Sequence, residues 1–335
     1  MKVLVTGCDG YIGSVLVRKL GENGYDVVGL DTCYYKDCKL TESEDVKLIE
    51  KDIRDIAKSD LGGIDAIVHL AALSNDPLGH LEPRLTTEIN FLASVKLAQL
   101  AQRVGVKRFV FASSCSMYGV AADVVTEDSA LTPLTEYARS KIESENSISK
   151  LLDSSFCAVY LRCATVFGIS PKLRFDLVVN NLTGLALTEK KIIVNSDGTP
   201  WRPVLHVEDA CDAYMLALEA DEGLVNGKAY NVGATDENYQ IIDIANVVKK
   251  ETGCEVVMLN KEPDSRSYKV NCDKIKNELG FGVSWPLSKG VSSLVKSLRN
   301  LGLDYSDFAS KNFTRLRQIE YLISSGKVDS NLRWK

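Results

Sequence analysis

Tyr137 and Lys141 stand four residues apart in a stretch, 136–152, with a helical pattern, so their side chains share one face. A free tyrosine loses its proton only near pH ~10, but an ammonium beside it stabilises the phenolate. Such a phenol could take a proton from a hydroxyl or return one to a carbonyl, and the lysine could also hold a ribose. The spacing alone is weak, because Tyr-x-x-x-Lys arises by chance in many helices. A second group strengthens it. Phe111-Ala112-Ser113-Ser114-Cys115-Ser116-Met117-Tyr118-Gly119 is a hydroxyl-rich stretch that follows an apolar run. Ser114 could hydrogen-bond the reacting oxygen of a substrate, although serine serves loops and caps everywhere.

A third group lies at the start of the chain, in Thr6-Gly7-Cys8-Asp9-Gly10-Tyr11-Ile12-Gly13. Glycines three and three apart sit where a strand turns into a helix. Such a turn needs positive φ or close backbone approach, and glycine permits both. The helix N-terminus then offers free N–H groups to a pyrophosphate. The spacing differs from Gly-x-Gly-x-x-Gly, but the strand-before, helix-after setting matches dinucleotide binding. Asp31 ends the next strand, and a carboxylate there can accept from ribose hydroxyls while repelling a 2′-phosphate. NAD is therefore expected over NADP.

These groups need a frame. Apolar runs at 2–6, 26–31, 66–70, 109–113 and 158–162 alternate with helical patterns at 12–23, 85–104 and 136–152. Strands alternating with helices imply a doubly wound, parallel α/β sheet. In such sheets ligands gather at the carboxyl ends of strands, where Gly7, Asp31 and Ser114 all fall. Further helices are expected at 176–188, 207–220 and 239–252, with a strand at 229–232. No repeat or low-complexity linker appears, so a second lobe is interleaved with the first.

Composition narrows the function classes. The 335 residues are 45% hydrophobic and 25% charged, with formal charge −5. Nothing favours a nucleic-acid or anionic-membrane surface. No signal peptide or membrane-spanning run is seen, so a cytoplasmic location is expected. The nine cysteines include no Cys-x-x-Cys pair and the chain has three histidines, so neither a disulfide framework nor a metal site is expected.

Taken in order, the glycine turn, Asp31, Asp52-Ile53, His69-Leu70-Ala71-Ala72, Asn90, the Ser114 stretch and Tyr137/Lys141 resemble the extended short-chain dehydrogenase/reductases. The likeness continues through Leu161-Arg162-Cys163-Ala164-Thr165-Val166-Phe167-Gly168, Arg202 before His206-Val207-Glu208-Asp209, and Arg266. The resemblance implies an NAD-dependent nucleotide-sugar epimerase, dehydratase or reductase. It implies a Rossmann lobe at 1–165, with 205–235 returning to it, and a smaller C-terminal α/β substrate lobe at 166–204 and 236–335. Ser114, Tyr137 and Lys141 fill its catalytic positions. Gly7, Gly10, Tyr11, Ile12, Gly13, Asp31, Asp52, Ile53, Leu70, Ala71, Ala72 and Asn90, with Tyr137 and Lys141, fall at its cofactor positions. Ser114, Ser116, Asn180, Arg202 and Arg266 fall near those that hold substrate, the arginines suiting a diphosphate through their planar forks. Helices 85–104 and 136–152 are its candidates for a homodimer contact.

Three departures matter. Where the family's 4,6-dehydratases carry Asp-Glu, this chain has Cys115 and Ser116, so an elimination lacks its acid and base. Thr165 and Pro203 stand where the family often has Asn and Asp. The expected reaction is therefore redox at C4 of a nucleoside-diphosphate sugar, foremost C4 epimerisation, because the chain looks like a member with a tightly held cofactor. The alternative is 4-keto reduction, which uses the same residues. A non-catalytic NAD sensor would not need a matched Ser114, Tyr137 and Lys141. A steroid or small-alcohol dehydrogenase would leave Arg202 and Arg266 unpaired.

Overall fold

The computed structural model describes residues 1–41, 46–74, 82–261 and 266–335. Its centre is a seven-stranded sheet ordered β3-β2-β1-β4-β5-β7-β11, in which every paired neighbour is parallel. The strands are β1 Lys2–Thr6, β2 Asp26–Asp31, β3 Lys47–Glu50, β4 Ala66–His69, β5 Arg108–Ser114, β7 Cys157–Cys163 and β11 Ala229–Val232. The order reverses beside β1, between β2 and β4, which opens a crevice above their carboxyl ends.

Both faces of the sheet are covered, which is why its strands read as unbroken apolar runs. Successive strand residues point to opposite faces. Val3 and Val5 of β1 pack with Val15, Leu16 and Leu20 of α1 (Gly13–Glu22), and with Ala210 and Tyr214 of helix Val207–Glu219. Leu4 packs on the other face with Leu97, Ala98 and Ala101 of α2 (Ala93–Val104). Helix α3 (Glu136–Ile148) lies on this second face through Ile148.

Expectation and structure differ over 85–104. The segment is not one α-helix. A short α-turn at Pro83–Thr86 passes into a π-turn at Thr87–Leu92 before α2 begins.

A smaller lobe adds a separate apolar core. Helices α4 (Val178–Thr188), α6 (Ile241–Thr252) and α8 (Leu287–Leu301) enclose it, with Val179, Leu182, Ile244, Val248, Val291 and Val295 inside. The helix Val207–Glu219 is α5 and Asp273–Leu279 is α7. Short strands complete this lobe: β8 Thr165–Phe167, β9 Lys191–Val194, β10 Trp201–His206, β12 Asn238–Gln240 and β13 Glu255–Met258. Strand β6 (Val120–Val125) pairs with β14 (Ser267–Val270). Because β12 occupies 238–240, α6 starts two residues later than the periodicity suggests.

The end of the chain departs from the expected lobe at 236–335. Ile319 and Leu322 of α9 (Arg315–Ser324), with Val328 and Leu332, pack in the same cluster as Leu4, Leu30 and Ile53. The tail thus returns to the parallel sheet, where Trp334 Nε1 donates to the Thr32 carbonyl at 2.7 Å.

Candidate active site

The crevice above the carboxyl ends of the strands holds a cavity of about 640 Å³. Its floor is the glycine turn. Gly7 has φ +75°, and a Cβ there would lie 2.8 Å from the Ala71 nitrogen. A Cβ on Gly13 would lie 2.0 Å from the Gly7 carbonyl oxygen. No side chain fits at either position, so the backbone of the β1–α1 turn through Gly10, Tyr11, Ile12 and Gly13 lies open to a ligand. This is the shape and polarity that a dinucleotide pyrophosphate requires, and the residues present fit NAD.

Asp31 lines the same cavity at the end of β2. Its carboxylate accepts from the backbone N–H of Asp9 at 2.9 Å and of Cys33 at 2.8 Å. Burial, aided by the nearby Asp9, pushes its pKa up to about 6, although the two N–H groups pull the other way. Hydroxyl donors from a ribose would offset that desolvation.

The reacting groups come from β5 and α3. Ser114 ends β5 and caps a short 3-10 turn, accepting from Ser116 N–H at 3.1 Å and donating to Ser116 Oγ at 2.9 Å. Thr135 caps α3 by accepting from Ala138 N–H, which sets Tyr137 and Lys141 on its first two turns. Lys141 Nζ sits 5.6 Å from the Tyr137 ring centre and 4.8 Å from that of Phe111, and donates to the Ala112 carbonyl at 2.6 Å. Only 3% of Lys141 is exposed. Burial lowers its pKa to about 8, against the pull of Cys163 and Glu145. Ser114, Ser116, Tyr137 and Lys141 all line the cavity that begins at the glycine turn.

One turn beyond Lys141, the buried Glu145 meets Arg162 of β7 through two contacts of 3.1 and 2.7 Å. Ser113 Oγ donates to the same carboxylate. Arg162 also reaches the Glu127 carbonyl at 3.0 Å and the Tyr118 hydroxyl at 3.2 Å. This network fastens α3 to the ends of β5 and β7. Glu145 has a signal in the sequence, its i+4 spacing from Lys141, but the type of its partner does not follow from spacing.

His69 belongs to the core. Ser94 Oγ donates to the Asn90 carbonyl, so His69 Nε2 must donate to Ser94 (2.7 Å) and Nδ1 must accept from Thr6 (2.6 Å). Burial drops its pKa to about 3 and holds it neutral.

Ile53, Leu70, Ala71, Ala72, Tyr11 and Ile12 stand on the cavity wall, and Arg202 and Arg266 line it too. Arg202 donates to the Arg266 carbonyl, which joins the two. Three expected residues stand behind the wall instead. Asn90, in the π-turn, clamps the Leu73 backbone, donating to its carbonyl at 3.1 Å and accepting from its N–H at 2.8 Å. Asp52 is held by Arg54 at 2.6 Å and Arg333 at 3.2 Å. Asn180 is fully buried, accepting from Gly168 N–H and donating to the Arg174 carbonyl, while its neighbour Asn181 faces the cavity. The cavity also holds Arg174, Asp176 and Arg315, which no motif announced.

Cys115 lies where a dehydratase would carry its acid. It is buried, its Sγ faces the Arg162 carbonyl at 3.0 Å, and burial raises its pKa well above the ordinary thiol value. Among the described residues, no cluster is arranged to hold a metal and no helix is long and apolar enough to cross a membrane.

Comparison with known proteins agrees with this geometry. The family model described as "NAD dependent epimerase/dehydratase family" matches residues 3–233. A UDP-glucose 4-epimerase of Lactobacillus helveticus is 31% identical over 282 residues, which is 76% of this chain and 83% of the relative. The structure of MoeE5 with UDP-glucuronic acid and NAD superposes with a TM-score of 0.80 at 27% identity, covering 90% of this chain and 99% of that one. A UDP-glucuronic acid 4-epimerase of Bacillus cereus, with UDP-glucuronic acid and NAD, gives 0.77 at 26% identity, covering 90% and 100%.

Proposed function

The chain belongs to the NAD dependent epimerase/dehydratase family, and on that premise we propose that it inverts C4 of a UDP-linked sugar with bound NAD. The observation that carries the reading is one cavity lined by the glycine turn and Asp31, by Arg202 and Arg266, and by Ser114, Tyr137 and Lys141. Bound NAD supplies a hydride acceptor and then donor at C4. The chain moves the proton. The Tyr137 phenolate oxygen takes it from the sugar 4-hydroxyl and returns it to the same oxygen once the sugar has turned over. Ser114 Oγ, already oriented by Ser116, holds that oxygen in place. The Lys141 ammonium favours the phenolate. Arg202 and Arg266 grip the diphosphate, which leaves the sugar free to present either face. With Cys115 buried, the chain lacks an acid at the dehydratase position.

We also read the molecule as a cytoplasmic homodimer that pairs through residues 83–104 and α3. The support is apolar surface on the first of these, where Leu92 is 53% and Val104 38% exposed.

Purified chain should interconvert UDP-glucose and UDP-galactose, or the corresponding glucuronic and galacturonic acid forms, by proton NMR. Tyr137→Phe, which keeps the ring, should retain NAD and lose roughly 10²–10⁴-fold in rate. A Tyr137→Phe enzyme of near wild-type rate would sink the proposal, and so would a wild-type chain that turns over none of these sugars.

A further inference from the structure

Arg315 raises a question that the catalytic group does not answer. It is the first residue of α9, it is 3% exposed, and it faces the cavity. Its guanidinium carbon lies over the Tyr35 ring, 4.1 Å from the ring centre, and Nη2 donates to the Lys172 carbonyl at 3.0 Å. Its Nη1 is buried and has no hydrogen-bond partner among the described residues. A buried guanidinium donor left unmade is costly.

Beside it stands Arg174, 5% exposed, which binds Asp176 through Nε at 2.8 Å and Nη2 at 3.2 Å and reaches Ser74 Oγ at 3.1 Å through Nη1. The Arg315 backbone N–H meets the same Asp176 carboxylate at 3.4 Å. The charges of both arginines also act on this one carboxylate. Lys172 leaves this balance unchanged, because its ammonium is matched by Asp9 at 2.6 Å. Among the described residues one positive charge remains in a desolvated wall, and burial works against it.

Topology says what faces that charge. Tyr35 follows the end of β2 and Ser74 follows the end of β4, and these strands flank β1. The arginine pair thus spans the carboxyl end of β1, above the glycine turn. Lys172 ties the two levels together, since its carbonyl receives Arg315 and its ammonium holds Asp9 of the turn. An anion seated on the N-terminus of α1 would meet the Nη1 donor of Arg315, with the Arg174 charge beside it. A guanidinium donor suits the oxygens of a diphosphate.

We propose that Arg315 and Arg174, positioned by Ser74, Asp176 and Tyr35, form an anion subsite that closes over the diphosphate of the dinucleotide, so that the C-terminal helix is part of the cofactor site. The proposal rests on the NAD reading above and adds a second layer of recognition. The glycine turn supplies neutral N–H groups, and the tail supplies the charge. A diphosphate could also come from the sugar nucleotide, and the test separates the two.

The experiment is calorimetric binding of NAD, ADP-ribose and UDP to the chain stripped of nucleotide, wild type against Arg315→Gln. Loss of one charge-assisted contact should weaken NAD and ADP-ribose about 10- to 100-fold and leave UDP unchanged. Arg315→Lys, which keeps the charge without the fork, should fall between. Unchanged NAD affinity in a folded Arg315→Gln overturns the proposal, and so does a loss confined to UDP. If Arg315→Gln does not fold, the wild type decides: inorganic pyrophosphate should compete with NAD and not with UDP, and the reverse overturns the proposal. A wild type that binds no NAD would instead remove the reading beneath it.

Discussion

Lys141 offers the sharpest quantitative test, because burial and charge oppose each other there. Its pKa falls from an ordinary 10.5 to about 8 in the folded chain, mainly through desolvation. Each pH unit corresponds to about 1.4 kcal/mol, so the charged form costs the native state roughly 3 kcal/mol. The sign follows from proton counts. Below pH 8 both folded and unfolded chains carry the proton, and the penalty is fully present. Between about 8 and 10.5 the unfolded chain still holds the proton and the folded chain has released it, so stability rises with pH. Lys141→Met removes this titration, and with it the charge that acts on Tyr137 and Cys163. The assay is urea unfolding of both proteins, free of nucleotide, at pH steps from 7 to 10.5. Wild-type stability should gain on Lys141→Met by roughly 3 kcal/mol across that window, while turnover of the variant collapses. Two curves that stay parallel within about 0.5 kcal/mol would show that the ammonium is not desolvated as its surroundings imply.

Four further outcomes follow from the same structure. Titration should show NAD(H) preferred over NADP(H), because Asp31 faces the cavity as a carboxylate; equal affinity would mean that Asp31 does not meet the ribose. Arg266→Ala should weaken UDP binding by about 1.5–3 kcal/mol in calorimetry with NAD affinity unchanged, and an equal loss of NAD would assign the residue to the fold. Arg162→Met strands the buried Glu145 and should cost about 3–5 kcal/mol in urea unfolding; a cost below about 1 kcal/mol would mean that water reaches the carboxylate. Light scattering at micromolar concentration should give twice the chain mass, and a monomer would remove the helix-pairing reading.

What is legible in the sequence is whatever leaves a local pattern. Strand β1 reads as a strand because both faces are buried, and the glycines after it read as a turn because nothing else fits against Ala71 and Gly7. Tyr137, Lys141 and the Thr135 cap lie within one segment, so their relation is set by helical spacing. Other parts are set by distant contacts. Asn180 and Asn181 are adjacent, and only the docking of α4 decides which faces the cavity. The π-turn depends on what Asn90 must reach, a backbone seventeen residues earlier in sequence. Strands β9 and β13 are four residues each, with only half of β9 buried, and have little pattern to show. Arg315 carries no motif at all, because its place depends on a tail that crosses back over the sheet.

The π-turn at Thr87–Leu92 also constrains how this gene can change length. A π-turn amounts to one residue more than an α-helix needs. Each residue of α-helix advances the face by about 100°. Loss of a single codon here would relax the turn into ordinary helix and swing everything before it by that angle relative to Leu97, Ala98 and Ala101. Leu85 would leave its buried seat, and the Asn90 amide would turn away from Leu73. A surface loop can drift in length by single codons, but this segment keeps count.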